Sequence, residues 1–529
     1  MPPARGMGGG GGGGDNITVH VEWLARRLTQ QQEDAAATEQ HRNMASTYRV
    51  SRVPGHVRLP NPDAYAPGLV AIGPLHAKDG ETRLRAGNRL KMAYLHSLIS
   101  RGGRPDPSDH LAVIKDYVLL VAAREREARA MYAAEDVDAI GAEDFIHMLV
   151  LDGCFLIEHL VNVFTGKEEP SLHATPFGPA QLSVDVVLAE NQIPFFVLVD
   201  LISSARTRLP ELESSGHGHD RPALLMELVL FYLGGDKGRD MIGDAEAVRL
   251  LPPAEGVCHV LHLLHAMVVT ARTRWEPPPR IQDGAAVEMM QEAARLLRRL
   301  PLLLLVPLLY PILPEERRWR ASYGREDLPS ASDLKRMWVR FKKARGGGGA
   351  GKASSAAGIA SVLGPVPLAV KLEHEDRLRL PQLRIEFRTA PLLLNLMAFE
   401  QAAEQRRAGE VSAYVWLMAK LVQSAEDAGV VVAAEVVQST TSTGSESKDD
   451  VARFFRRVGA ASEAAAELEK SYLGETLQKL RERSQHPLFM MWADVQRNYF
   501  TVPWAVVAEF VAFITFISTI LQTYGSFKH

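Results

Sequence analysis

From residue 84 onward, apolar positions recur mostly at three- and four-residue spacing, the pattern of helices that bury one face. Such stretches run over 84–100, 109–133, 145–164, 182–201 (interrupted at Pro194), 223–232, 257–269 and 285–300. A basic stretch reads as one more helix ending near Arg345, and others follow at 391–406, 411–428 and 451–483, with 486–499 leading on. One region changes period. Leu368, Val370 and Leu372, then Leu378, Leu380, Leu383, Ile385 and Phe387, alternate around EHEDR and predict a small β-hairpin. The Pro- and Gly-rich residues 53–75 predict an extended, turn-punctuated crossing. Ahead of them, Asp15 caps a pattern of Ile17, Val21, Leu24 and Leu28, preceded by the glycine tract Gly8 to Gly14. No βαβ alternation is visible, so the expected fold is mainly α: a large irregular helical body with a minor β element.

Two apolar runs break the amphipathic rule. Residues 300–313 (LPLLLLVPLLYPIL) are short and carry Pro301, Pro307 and Pro311, which suits a buried helix-and-turn. Residues 503–524 (PWAVVAEFVAFITFISTILQTY) have the length of a bilayer-crossing helix, with Glu509 as the one charge. Trp504 and Tyr524 stand near its ends, where amphipathic rings favour the headgroup layer, and Pro503 suits a first helical turn. Lys470, Lys479, Arg481, Arg483 and Arg497 precede the run and Lys528 follows it. The positive-inside rule then predicts a single-pass tail anchor with the bulk of the chain cytoplasmic, the plasma membrane being the favoured membrane. No leader-like apolar segment follows Arg5. Glu509 marks a candidate self-association face, because a carboxylate in hydrocarbon seeks a partner.

The expected organisation is a Gly-rich lead-in with an amphipathic helix over 1–48, a helical domain over 49–500 with loop insertions at 345–361 and 439–448, and a membrane helix over 503–524. Composition narrows the function. Across 529 residues, 60 basic and 63 acidic side chains give a net charge of −3, which supplies no global attraction for nucleic acid or anionic lipid. Two cysteines exclude a disulfide framework and a Cys-built zinc site. Between Arg317 and Arg345 ten Lys and Arg stand against three acids, with Trp319, Trp338 and Phe341 interleaved; the commoner outcome of that composition is a solvated amphipathic helix, and of the two lesser readings a tethered chain favours lipid over RNA.

Candidate chemistry is sparse. The sequence GGGGAGKA at residues 346–353 lacks the Ser or Thr that a phosphate loop places after its lysine, Ala353 standing there instead. His259, His262 and His265 have a spacing that puts ligands on one helical face, with Cys258 beside them, yet no carboxylate has a matching spacing; His217 and His219 lie apart. Asp152 and Glu190 sit in apolar surroundings and are the candidate acid–base pair. The structural reading is stronger: a carboxylate beside the Pro194 break accepts freed backbone N–H groups, and Asn191 and Gln192 satisfy the rest. No G-x-S-x-G or H-E-x-x-H is present, and no Cys/His arrangement is convincing. No catalytic residue, metal or cofactor is assigned.

A set of motifs spread along the chain resembles the plant "domain of unknown function 247" family. They are NPDAYAPGLVAIGPLH, LKMAYLHSLISR, DFIHMLVLDGCFLIE with Asp152, Gly153 and Cys154, ENQIPFFVL with Glu190, Asn191, Gln192 and Pro194, HVLHLLH, SASDL, LRLPQLRIEFRTAPLLLNLMAFEQ with Glu400, YVWLMAKLV and YFTVPWAVVAEF. The resemblance covers residues from about 49 to the C-terminus. It implies a mostly helical protein with a C-terminal membrane segment and no established catalytic residues. Some grass members are associated with self-incompatibility, a role that family-wide motifs do not carry to this chain. Where members tend to have paired histidines, this chain reads LHAKDG. The expectation is a membrane-tethered interaction or recognition component with the lipid bilayer and unidentified proteins as partners, and no nucleic acid. The alternative is an enzyme built on the carboxylates of the helical body.

Overall fold

A computed structural model describes residues 50–275, 328–344 and 358–499, with breaks at 82–83, 102, 104–105, 168–169, 171, 173–176, 214–218, 375, 403–408, 440–444 and 463–470, and the isolated positions 515, 518 and 519. The lead-in and first amphipathic pattern, the run 300–313, most of the glycine-rich insertion, His217, and Pro503, Trp504, Glu509 and Tyr524 lie outside the described residues.

Among the described residues the chain is mainly helical with two small sheets. An extended strap, residues 50–76, crosses the body first. It is broken only by single turns at Gly55–Arg58, Pro62–Tyr65 and Pro74–His76. Helices α1 (Arg85–Ser100) and α2 (Pro107–Ala123) follow. Asp106 opens α2 by accepting the Ser108 N–H at 2.9 Å, with Pro107 in the first turn where no N–H is needed. The expected single helix over 109–133 is instead two, broken at Arg124 before Glu125–Ala130.

The central element is α3 (Ala142–Thr165). It is long and apolar enough to cross a membrane, yet most of it is buried in the protein. It packs against α1 and α2, and against α5 (Phe195–Ser203) and α6 (Arg221–Gly234), which follow α4 (Gly178–Asp185). A continuous apolar surface around α3 is the solution for a helix hydrophobic on all sides. Gly166, at φ +67°, ends it, and Lys167 N–H reaches back to the Asn162 carbonyl. Pro194 separates α4 from α5, as expected. Helix α7 (Val260–Thr273) then closes the first half.

The hairpin is present as β2 (Lys371–Glu373) antiparallel to β3 (Arg377–Leu380), and it has a third strand. Residues Arg340–Lys343 form β1, parallel to β3, where the sequence pattern predicts the end of a basic helix. The helix Ala331–Arg336 stops at its cap Met337, and Trp338, at φ +66°, turns the chain out of the helix so that the residues after it pair with β3. Leu383–Ile385 (β4) leaves the hairpin and pairs in parallel with Val437–Ser439 (β5), a strand without a sequence signal of its own.

Helices α8 (Thr389–Ala402), α9 (Glu410–Leu421), α10 (Ala425–Ala433), α11 (Ser445–Gly459), α12 (Gly474–Gln485) and α13 (Pro487–Tyr499) complete the described body. The stretch 411–428 is thus broken, because Ser424 and Asp427 form a reciprocal capping box that starts α10. The stretch 451–483 is likewise two helices, and α11 begins inside the expected loop 439–448.

Candidate functional site

The motif residues converge on the strap. At Val53 and again from Val70 to Gly73 its extended backbone is buried, so the N–H groups there need partners that no helix or sheet provides. Three carboxylates and one amide supply them. Asp185, at the end of α4, accepts the Gly68, Leu69 and Val70 N–H groups at 2.9, 2.7 and 2.8 Å. Asn191 accepts the Ile72 N–H at 2.6 Å and donates to the Val70 carbonyl at 3.0 Å. Asp152, on α3, accepts the Gly73 N–H at 2.8 Å and pairs with the buried Lys91 of α1. Glu190 accepts the Val53 N–H at 2.6 Å, pairs with Arg58, and faces His76 Nε2 at 3.3 Å.

The remaining members lock the turn itself. Gln192 donates to the Val186 and Leu188 carbonyls at 2.8 and 2.9 Å and accepts the Leu261 N–H of α7 at 3.2 Å. Tyr132 donates to the Gln192 carbonyl at 3.0 Å. The N–H groups that reach Glu190 therefore come from the distant strap. The N–H freed at the Pro194 break, that of Phe195, goes to the Cys258 carbonyl at 2.8 Å. Burial would raise the Glu190 carboxyl, but His76, Arg58 and the Val53 N–H outweigh it and hold it at about 2. Asp185 goes the other way: burial outweighs its hydrogen bonds and raises it.

Gly153 and Cys154 serve packing. A Cβ at Gly153 would strike the Leu201 side chain, so its absence lets α5 lie against α3. Cys154 is fully buried, and burial pushes its thiol far up, away from reactivity.

Glu400 belongs to a second cluster. It accepts His265 Nε2 at 2.9 Å, the Val411 and Ser412 N–H groups at 2.8 and 2.9 Å, and the Ser412 hydroxyl at 2.7 Å. Burial raises this carboxyl, and the His265 contact leads the partners that bring it below its ordinary value. The carboxylate missing from the histidine spacing thus arrives from α8, at the start of α9. His259 Nδ1 accepts the His262 N–H at 3.2 Å, and His262 Nδ1 accepts the Cys258 N–H at 3.1 Å, so backbone donors hold both rings. Their rings and that of His265 surround Phe399 at 5.2 to 5.6 Å between centroids. Burial lowers His259 to about 3 and His262 to about 4, keeping both neutral. Among the described residues no group of three or more His, Cys, Asp or Glu is placed to hold a metal.

Sequence reading missed Asp185, Lys91, Arg58, Tyr132 and Asn395. Asn395 accepts the Ala189 N–H at 2.7 Å and donates to the Ala64 carbonyl at 2.8 Å, joining α8 to both turn and strap. Asp185 and Asn395 had a usable signal, polar residues inside the apolar runs SVDVVL and LLLNLM, and Lys91 lies in the motif LKMAYLHSLISR; Arg58 and Tyr132 had none.

This arrangement defines a class: a mainly helical protein whose interior polar residues fasten an extended strap. The chain belongs to the plant "domain of unknown function 247" family, whose model, described as a plant protein of unknown function, matches residues 50–518. It is similar to the UPF0481 protein At3g47200 of Arabidopsis thaliana, at 23% identity over 495 residues, covering 90% of this chain and 85% of that protein. It is also similar to the putative UPF0481 protein At3g02645 of the same plant, at 27% identity over 248 residues, 47% of this chain and 41% of that one. No solved structure matches the chain.

Proposed function

We propose that this protein is a membrane-tethered interaction protein: the helical body presents a surface to protein partners, and residues 503–524 hold it at a bilayer with the body on the cytoplasmic side. The observation that carries this reading is the use made of the buried carboxylates. Asp152, Asp185 and Glu190 are each closed by strap N–H groups, with Lys91 and Arg58 as the cations paired to Asp152 and Glu190. The small cavity beside the strap, about 110 Å³, is lined by Val53, His259, Leu261 and Phe399 among others, and by none of these three. Carboxylates spent on backbone and cations support a scaffold over general acid–base chemistry.

An outward apolar strip on α2 supports a binding role. Leu111 is 53% and Leu119 70% exposed, with Val118 between them on the same side. Deletion of residues 503–529 tests the tether: the shortened chain is expected in the soluble fraction, and its recovery in carbonate-washed membranes would overturn the reading. Crosslinking of the full chain against Glu509→Leu tests self-association through the tail, equal dimer yields removing that idea.

A further inference from the structure

The register of the three-stranded sheet sets Lys342 of β1 opposite Arg379 of β3, and Arg379 opposite Lys371 of β2. The next row on the same face is Arg340, Arg377 and Glu373. The row between them, Phe341, Leu378 and Leu372, is buried in the core. Because side chains alternate along a strand, the cations share the face opposite that buried row, where Arg340, Arg377 and Arg379 are half-buried and Lys342 and Lys371 reach solvent. Like charges directly opposite one another destabilise a sheet, so this row works against folding. Part of the charge is offset: Arg379 Nε meets Glu373 at 2.8 Å, and Arg340 meets Asp376 at 2.7 Å. Lys342 and Lys371 stay exposed.

The sheet stands beside the end of the described body. Trp338, at φ +66° just before β1, packs on Phe489 and Trp492 of α13 with centroids 5.9 and 5.6 Å away. Arg483 of α12 donates to the Met337 carbonyl at 3.1 Å. Four residues after α13 ends at Tyr499, the apolar run begins at Pro503.

We propose that this face binds anionic lipid headgroups and lies against the surface of the bilayer that the apolar run enters; the assignment rests on the tethered reading above. Cations in a flat row match a planar field of headgroups, and each basic side chain near such a surface adds to binding. The net charge of −3 gives the chain no general attraction for polyanions, so the charge complementarity is local to this sheet.

The test is amine-reactive footprinting of the full chain in vesicles of phosphatidylcholine, alone or mixed with phosphatidylserine. With phosphatidylserine, Lys342 and Lys371 are expected to react roughly fivefold less, the gain of one surface cation on an anionic leaflet. Lys115 on α2, an element packed against α1, α3 and α5, is expected to react equally in both. Raised salt should restore the two reactivities. Lys342→Thr should weaken the protection of Lys371 and leave the melting temperature unchanged or higher, because it relieves the row. Equal reactivity in both vesicles would overturn the proposal. So would equal protection by single-stranded RNA at matched charge, which would make the face a general polyanion site. Carbonate extraction of the same samples reads the tether separately. An anchored chain without protection sinks the lipid face alone, and a protected but extractable chain sinks the tether alone.

Discussion

The Gly73 N–H donates to the Asp152 carboxylate at 2.8 Å from a residue held at φ +73° and ψ −177°. That backbone conformation is open to glycine and closed to other residues, so the bond joins the strap to α3 at a point where the sequence has no substitute. A Cβ there would also strike the Gln192 carbonyl.

Gly73→Ala is therefore expected to cost at least about 1–3 kcal/mol, the strain alone, before any clash is relieved. Asp152→Ala should cost more, about 3–5 kcal/mol, because it strands Lys91 as a buried, unpaired cation. Adding Lys91→Met to Asp152→Ala should recover part of that loss. Denaturant melts of the solubilised chain measure all three, and a double variant no better than the single one would contradict the pairing.

Glu190 sets a pH dependence whose sign follows from its depressed pKa. Its folded value of about 2 lies below the ordinary 4.5. The stability it contributes is present above pH 4.5 and lost as pH falls toward 2. The size is about 3 kcal/mol at neutral pH. Glu190→Gln should be less stable than the parent at pH 7, with the gap closing below pH 4. A gap that stays constant with pH would show that the charge is not the source.

Three histidines act in a different window. Burial lowers His159 to about 4, His259 to about 3 and His262 to about 4. The unfolded chain takes up these protons first, so stability should fall as pH drops from about 6.5 toward 4, by about 1.4 kcal/mol per pH unit for each histidine. His159 lies stacked on Phe155 at 6.2 Å and edge-on to Tyr232 at 5.1 Å. His159→Phe should remove one proton's share of that slope while keeping the aromatic packing. An unchanged slope in melts between pH 4 and 6.5 would count against its neutral burial.

At Gly153 the test is a double-mutant cycle with Leu201. Gly153→Ala should cost about 1–3 kcal/mol through overpacking between α3 and α5. Leu201→Ala alone should leave a cavity and cost about 2–5 kcal/mol. Together the two should cost less than their sum, since the added methyl fills part of the space that the leucine vacated. Strict additivity, measured by thermal unfolding, would show that the two residues do not meet.

Helices were legible where one chain segment carries its own pattern. Residues 84–100, 145–164 and 223–232 became α1, α3 and α6 with ends within a few residues, because spacing alone selects the buried face. Breaks at Arg124 and at Ser424 were not legible, since the apolar spacing continues through them while a change of backbone conformation at Arg124 and a capping box at Ser424 divide them. Strands β1 and β5 needed partners 37 and 54 residues away, β3 and β4, and a strand of three or four residues has no period to read. In the site, ENQ and LDGC stood out as polar or small residues in apolar runs. Their partners Arg58, Lys91 and the strap N–H groups lie in segments whose own patterns are ordinary.

The sequence by itself determined that the body is mainly helical, that the chain carries a conspicuously apolar stretch at 503–524, and that its polar motif residues are surrounded by hydrophobic ones. Those properties depend on neighbours within a turn or two, and composition fixes them. Only the tertiary structure decided that Asp152, Asp185, Glu190 and Asn191 spend their hydrogen bonds on one extended strap, and that Lys342, Arg379 and Lys371 share a row. Those relations join residues up to 137 positions apart. They arise because a buried N–H without a helix or sheet must find an acceptor, and the acceptor that packing brings to it is invisible along the chain.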